Sequence, residues 1–200
     1  MHRLLYHETN MADPFRSDRL IYRAPDQEED VDFFHTLETD PIAFSMANTS
    51  IHKPQSKDAA KKFMKFVAEE TLLGVVICLP AHDGQSKPIP IGVVNLDQEK
   101  AESFHHRHAD IGVNIVKPYQ NQGYGSEAIR WALNWAFKTA GLHRVGIAAF
   151  SYNEGAIRLY ERLGFTREGV LREHFWHDGR WWDDVHFGML ASEWKQICTQ

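Results

Sequence analysis

The stretch from Val116 to Ala128, Val-Lys-Pro-Tyr-Gln-Asn-Gln-Gly-Tyr-Gly-Ser-Glu-Ala, constrains the fold more than any other part of the chain. Before it, Asp110 to Val116 reads as a strand. After it, Ser126 to Thr139 carries Ile129, Ala132, Leu133 and Ala136 at helical spacing. Pro118 breaks the strand, and Gly123 and Gly125 permit a tight turn into the helix. Strand, glycine turn and helix in that order aim unpaired backbone N–H groups at one point, with the positive helix end behind them. Such a turn binds an anion, most naturally a phosphate or pyrophosphate. The plainer reading is a loop whose glycines only permit the turn.

Two other phosphate-binding patterns fit poorly. Gly123-x-Gly125-x-x-Ala128 has the outline of a dinucleotide fingerprint. That fingerprint needs glycines joined directly to the strand and an acid at the end of the next strand. Here Pro118 and further residues intervene, and the next strand, Arg144–Phe150, has no acid. A nucleotide-triphosphate loop fails because no Gly-Lys-Ser/Thr follows.

Around this turn the chain reads as one α/β (α+β) domain over 18–200, preceded by an aperiodic N-terminal arm, 1–17. Arg19 to Arg23 is a short strand, and Asp26 to Asp40 an amphipathic helix that Pro41 stops. Ser56 caps a second helix from Lys57 to about Leu72. Strands follow at Gly74–Leu79 and Ile91–Leu96, joined by a loop around Asp83-Gly84, and 98–107 is a polar turn. After the glycine turn and its helix come a strand at Arg144–Phe150 and a helix at Glu154–Leu163. A hairpin then turns at His177-Asp178-Gly179-Arg180. The pattern gives about seven strands and about four helices in a mixed sheet.

Composition narrows the setting. With 43% hydrophobic and 24% charged residues, the 200-residue chain is neither disordered nor fibrous. No apolar run reaches the ~18 residues of a membrane span, and the first residues lack a secretory signal. Cys78 and Cys198 make neither a disulfide scaffold nor a four-ligand zinc site, so a cytoplasmic setting is expected. A net charge of −5 argues against a nucleic-acid surface. His105-His106-Arg107-His108 lacks a nearby cysteine or carboxylate pair, so no metal is expected. Charge is nevertheless uneven: Lys117 to Arg167 holds seven Lys/Arg against three Glu. A basic segment sits within an acidic chain.

Gln120-x-x-Gly123-x-Gly125, preceded by Val116-x-Pro118, resembles the acetyl-CoA pyrophosphate signature of the GNAT N-acetyltransferases. Asn153 to Phe165, a helical stretch ending in Leu-Gly-Phe, resembles the family's other signature. Gly169-Val-Leu-Arg-Glu173, with Gly179, Asp183, Asp184 and Trp194, is similar to the ribosomal-protein and spermidine acetyltransferase branch. The motif-level resemblance covers about residues 108–194.

The resemblance implies a single GNAT-like domain with a mostly antiparallel sheet that splays between strands 4 and 5. It implies acetyl-CoA as co-substrate, with no metal, and a primary amine as acceptor on a small molecule, a polyamine or a protein N-terminus. The amine attacks the thioester directly, without an acyl-enzyme. A non-catalytic CoA-binding or regulatory module of the same fold is the alternative. By the resemblance, Gln120, Asn121, Gln122, Gly123, Tyr124, Gly125 and Ser126 hold the pyrophosphate. Pantetheine lies along Asn114, Ile115 and Val116, with Asn153, Ala156, Tyr160 and Arg162 as further cofactor contacts. A monomer or homodimer is expected.

Tyr160 matches the family tyrosine that protonates the departing sulfur. It also shares a helix face with Ala156, Ile157 and Leu163, which suits a core residue equally. Asn153 suits an N-cap as well as a pantetheine contact. Asp110 is the candidate base, with a water relay or one of His105, His106 and His108 as the other candidates. Asn121 stands where the family has glycine, and Gln122 where it has a basic residue. Lys117, Arg158 or Arg162 would compensate for the missing charge. Phe175, Trp176, Trp181 and Trp182 bracket the hairpin, where family members shape the acceptor pocket. Glu28, Glu29, Asp30, Asp32 and Glu38 offer charge for a cationic amine.

Overall fold

The structure, a computed structural model, describes residues 13–81, 87–98 and 101–199, with the backbone alone of 101 and 102. Its centre is a seven-stranded sheet: β1 (Ile21–Arg23), β2 (Leu73–Leu79), β3 (Ile89–Asp97), β4 (His108–Ile115), β5 (Arg144–Phe150), β6 (Thr166–His177) and β7 (Arg180–Leu190). The order is β1-β2-β3-β4-β5-β7-β6, antiparallel throughout except for the parallel pair β4–β5. The loop expected around Asp83-Gly84 and residues 1–12 of the expected arm lie outside the described residues.

Six α-helices are present among the described residues, two more than the sequence pattern marks. They are α1 (Val31–Thr39), α2 (Pro41–Ala47), α3 (Lys57–Lys65), α4 (Tyr124–Asn134), α5 (Glu154–Leu163) and α6 (Ala191–Cys198). Pro41 ends α1 but also opens α2, because a first helical position has no use for its N–H. Asp40 completes that start: its carboxylate accepts the Ile42 and Ala43 N–H groups at 2.9 and 3.0 Å. The sequence pattern does not mark α6, which is short and whose one buried residue, Trp194, joins the main core.

Alternation along the strands divides the core in two. On one face Val75, Ile77, Val145, Ile147 and Phe187 pack against Ile129 and Leu133 of α4 and Tyr160 and Leu163 of α5. On the other, Val76, Cys78 and Val93 pack against Phe34 and Leu37 of α1 and Met64 of α3. Phe34 and Leu37 are fully buried, worth ~2 kcal/mol each in removed apolar surface. Helices α1 and α3 thus seal one half of that face, while α2 borders the gap between β4 and β5 and leaves the β5–β7 part open for a site. Residues 13–17 fold back: the Trp131 indole N–H donates to Pro14 O at 2.9 Å, and its ring stacks on Tyr22 at 3.7 Å. Among the described residues no helix is long and apolar enough to cross a membrane.

Candidate active site

Strands β4 and β5 pair only at His108–Arg144, Ala109–Val145 and Asp110–Gly146. Beyond that point each follows its other neighbour, β4 staying on β3 as far as Ile115 and β5 on β7 as far as Phe150. The two edges part, and a cleft of about 890 Å³ opens between them. The expected splay is therefore present, with unpaired backbone edges facing into it.

One end of the cleft is the glycine turn. Gly123, at φ +85°, and Asn121, at φ +59°, reverse the chain into α4. Asparagine tolerates this left-handed backbone better than most residues, which is why it replaces glycine here. The first bond closing α4 runs from Glu127 N–H to Gly123 O at 3.1 Å. From Asn121 to Ser126, no backbone N–H donates to a protein acceptor among the described residues. A run of free donors at a helix N-terminus suits a diphosphate.

Charge at this end comes from an unexpected residue. Arg19, just before β1, donates its Nε–H to Glu127 Oε2 at 2.7 Å and an Nη1–H to Gln122 O at 3.1 Å. Its guanidinium also lies 4.6 Å over the Tyr124 ring. Burial pushes the Glu127 carboxyl up, but the Arg19 N–H, the Ser17 hydroxyl and the Arg19 guanidinium outweigh it and hold the group below its ordinary value. The turn is thereby pinned to the chain's beginning.

The other end is polar and acidic. Register places Asn95, Asp97, Asp110, Gly112, Gly146, Ala148, Asp184 and His186 on the face left open by α1 to α3. Asp97 and Asp110 stand directly opposite one another. Burial, and then the Asp110 charge, raise the Asp97 carboxyl above its usual range. The Asp110 side chain lies across Gly146, where a Cβ would come within 2.0 Å of its Oδ1, so only glycine fits beneath it. Asp184, 8% exposed, and His186 complete the group, with His186 Nε2 2.9 Å from Asp184 Oδ2. Aromatic rings close the margin: Phe150 meets Phe175 edge-on at 4.8 Å and stacks on Tyr152 at 5.1 Å.

Residues 19–166 match the Acetyltransferase (GNAT) domain family. The chain belongs to that family. It is 26% identical over 178 residues to the SPbeta prophage-derived uncharacterized N-acetyltransferase YokL of Bacillus subtilis, covering 84% of this chain and 89% of that protein. It is 32% identical over 103 residues to the spermidine N(1)-acetyltransferase of Vibrio cholerae, covering 52% of this chain and 58% of that protein. It is 30% identical over 104 residues to the [ribosomal protein uS5]-alanine N-acetyltransferase of Escherichia coli, covering 52% and 53%. The chain thus spans little more than half the length of these last two relatives. Among solved structures, the V. cholerae spermidine N-acetyltransferase in complex with CoA and spermine superposes with a TM-score of 0.76 at 25% identity, over 90% of this chain and 99% of that one. A dodecameric structure of the same enzyme gives 0.69 at 27%, over 89% and 97%.

In this GNAT domain the cleft gathers most of the residues singled out in the sequence. Asn114, Ile115, Gln120, Asn121, Gly123, Gly125 and Ser126 line it, as do Asn153, Ala156, Tyr160, Arg162 and Asp110. Val116, Gln122 and Tyr124 lie outside the lining. Val116 donates its N–H to Ile91 O at 2.9 Å, and Ile115 O accepts from the Gln120 side chain at 2.7 Å. Those two strand-end groups therefore serve the fold. Asn153 caps α5, its Oδ1 accepting the Ala156 N–H at 3.2 Å, while its Nδ2 donates to Met46 O at 3.2 Å.

Tyr160 is 6% exposed, edge-on to Phe187 at 5.8 Å, and its hydroxyl has no hydrogen-bond partner among the described residues. Burial pushes its phenol up to about 12, so it stays protonated at neutral pH. Of the cations expected to compensate at the turn, Arg158 pairs instead with Glu154 at 2.9 Å. The acids of the first helical segment are mostly taken as well. Asp30 holds Arg23 through two bonds of 2.6 and 2.7 Å, and Asp32 holds Lys57 at 2.5 Å. The cleft's carboxylates come from β3, β4 and β7 instead. The His105 and His106 rings lie 3.9 Å apart, and among the described residues no three His, Cys, Asp or Glu side chains gather as metal ligands.

Proposed function

We propose that this chain transfers the acetyl group of acetyl-CoA to a primary amine by direct attack, with no acyl-enzyme. The observation that carries this reading is a single cleft that joins a turn of free N–H donors to a carboxylate-lined face through a gap in the sheet. The polyanionic carrier suits the first end and a cationic acceptor the second. Gln120 through Ser126 receive the pyrophosphate, Asn114, Ile115 and Val116 border the pantetheine, and Asn153, Ala156 and Arg162 add contacts along it. Tyr160, a buried neutral phenol, protonates the departing sulfur. Asp110 and Asp97 draw in the ammonium form of the acceptor, which must lose a proton before it attacks. The named relatives point to two acceptor classes, a polyamine and the N-terminal amine of a protein.

Release of CoA thiol from acetyl-CoA across a panel of polyamines and N-terminal peptides tests the reading. Turnover with at least one amine is expected. Tyr160→Phe is expected to lower kcat about 100-fold while leaving the Kd for CoA unchanged. Tight CoA binding without thiol release for any amine would establish the non-catalytic module instead. Sedimentation of the full chain separates a monomer or homodimer from an assembly like the Vibrio dodecamer.

A further inference from the structure

Neither the glycine turn nor the Asp97–Asp110 pair uses Asp184 and His186, two further side chains of the same face. His186 stands opposite Ala148 of β5, two residues beyond the last β4–β5 pair, so its ring sits where the sheet has already parted. Its Nε2 is buried, 2.9 Å from Asp184 Oδ2, and has no hydrogen bond in good alignment. The side chains are 45% and 11% exposed, so the carboxylate is enclosed while the ring's far edge opens on the cleft. Phe187, the next residue, points to the opposite face and packs on Tyr160. His186 and Tyr160 therefore approach the parted strands from opposite sides.

We infer that His186 is the base that deprotonates the acceptor amine, with Asp184 as the positioning residue that fixes its ring. This rests on the acetyltransferase reading above. A carboxylate beside Nε2 keeps the proton there and leaves Nδ1 as the acceptor. As a class, imidazoles also titrate closer to neutral pH than carboxylates do, which favours them over an aspartate for this transfer. The other titratable or charged groups on this face are Asp110 and His108 of β4, Asp97 of β3, and the Arg144–Glu168 pair, joined at 2.6 Å across Gly188.

The step balances as follows. Nδ1 takes one proton from the ammonium, and the freed lone pair forms the N–C bond at the thioester carbonyl. The C–S bond breaks and the sulfur takes the Tyr160 proton. The second nitrogen proton passes through water to the phenolate, and His186 returns its own proton to solvent.

The experiment is a kcat/KM–pH profile for the acceptor amine, with CoA affinity measured by calorimetry on the same proteins. His186→Gln is expected to lose about 100-fold in kcat/KM near pH 7, to lose the acid limb of the profile, and to bind CoA normally. Added imidazole is expected to restore part of the rate to His186→Ala. Asp184→Asn is expected to lose about tenfold in kcat with little change in the KM for the amine, because the ring loses the carboxylate that orients it. Asp110→Asn is expected to keep the limb. His186→Gln within about threefold of wild type with an unchanged limb overturns the inference, as does loss of CoA binding in both the His186 and Asp184 variants. If His186→Gln does not fold, the split between kcat and KM in Asp184→Asn decides, an unchanged kcat overturning the inference. Wild-type protein that releases no thiol with any amine removes the acetyltransferase reading and this inference together. Active wild type with unaffected variants removes the inference alone.

Discussion

The two ends of the cleft are built by different means. At the glycine turn the working groups are backbone N–H donors between residues 121 and 126, contiguous in sequence and pointed by two left-handed residues. At the acidic end the working groups are side chains from β3, β4 and β7, brought together only by strand register. The first end depends on local backbone conformation, which Asn121 at φ +59° and Gly123 at φ +85° supply. The second depends on which residues face each other across the sheet, so one exchanged side chain alters its chemistry while the backbone stays as it was.

Substitutions at the two ends should therefore separate cleanly. The largest effect is expected from Gly123→Val, which forces a β-branched residue to φ +85° with its Cβ 3.2 Å from the Arg19 guanidinium. CoA affinity is expected to fall by more than about 100-fold, read by calorimetry on a folded variant. A folded Gly123→Val protein with normal CoA affinity would remove the turn from the cofactor site. At the other end, Asp110→Asn is expected to raise the KM for a cationic amine about fivefold, the effect of one largely exposed ion pair, and to leave CoA affinity alone. A shift in CoA affinity instead would merge the two ends.

The smallest effect tests the brace behind the turn. Glu127→Gln is expected to lower Tm by about 3 °C at neutral pH. The folded-state pKa of Glu127 lies below its unfolded value, near 4.5, so its stabilisation is complete above that pH and is lost as pH falls through the folded value. Melting curves of wild type and variant should converge under acid. Curves that stay parallel would mean that the Arg19 contact contributes nothing.

Legibility followed the same division. The strand–turn–helix and the α5 signature are each carried by contiguous residues, the splay only by the resemblance to the family, and the structure forms all three at or near the expected positions. Pro41 was half legible: proline marks a boundary, but whether a helix ends or begins there depends on Asp40, which caps α2. Arg19 carried no local sign of its role, since its partner Glu127 is 108 residues away. Asp97 and His186 were equally silent, because a polar residue in a half-buried strand marks a face without saying what stands opposite. The acids of the first helical segment misled for the reverse reason. Clustered charge was visible, whereas Arg23 and Lys57, which hold Asp30 and Asp32, come from other elements.

By itself, then, the sequence determined the strands, four of the six described helices, their order and the glycine turn, because backbone conformation at that turn follows from glycine, asparagine and proline at fixed positions. The tertiary structure alone decided which carboxylates share the cleft, that Arg19 braces the turn, and that His186 meets Asp184 where the strands part. Those contacts arise from register between strands distant in sequence, and hydrophobic alternation sets that register without regard to which polar residues it brings face to face.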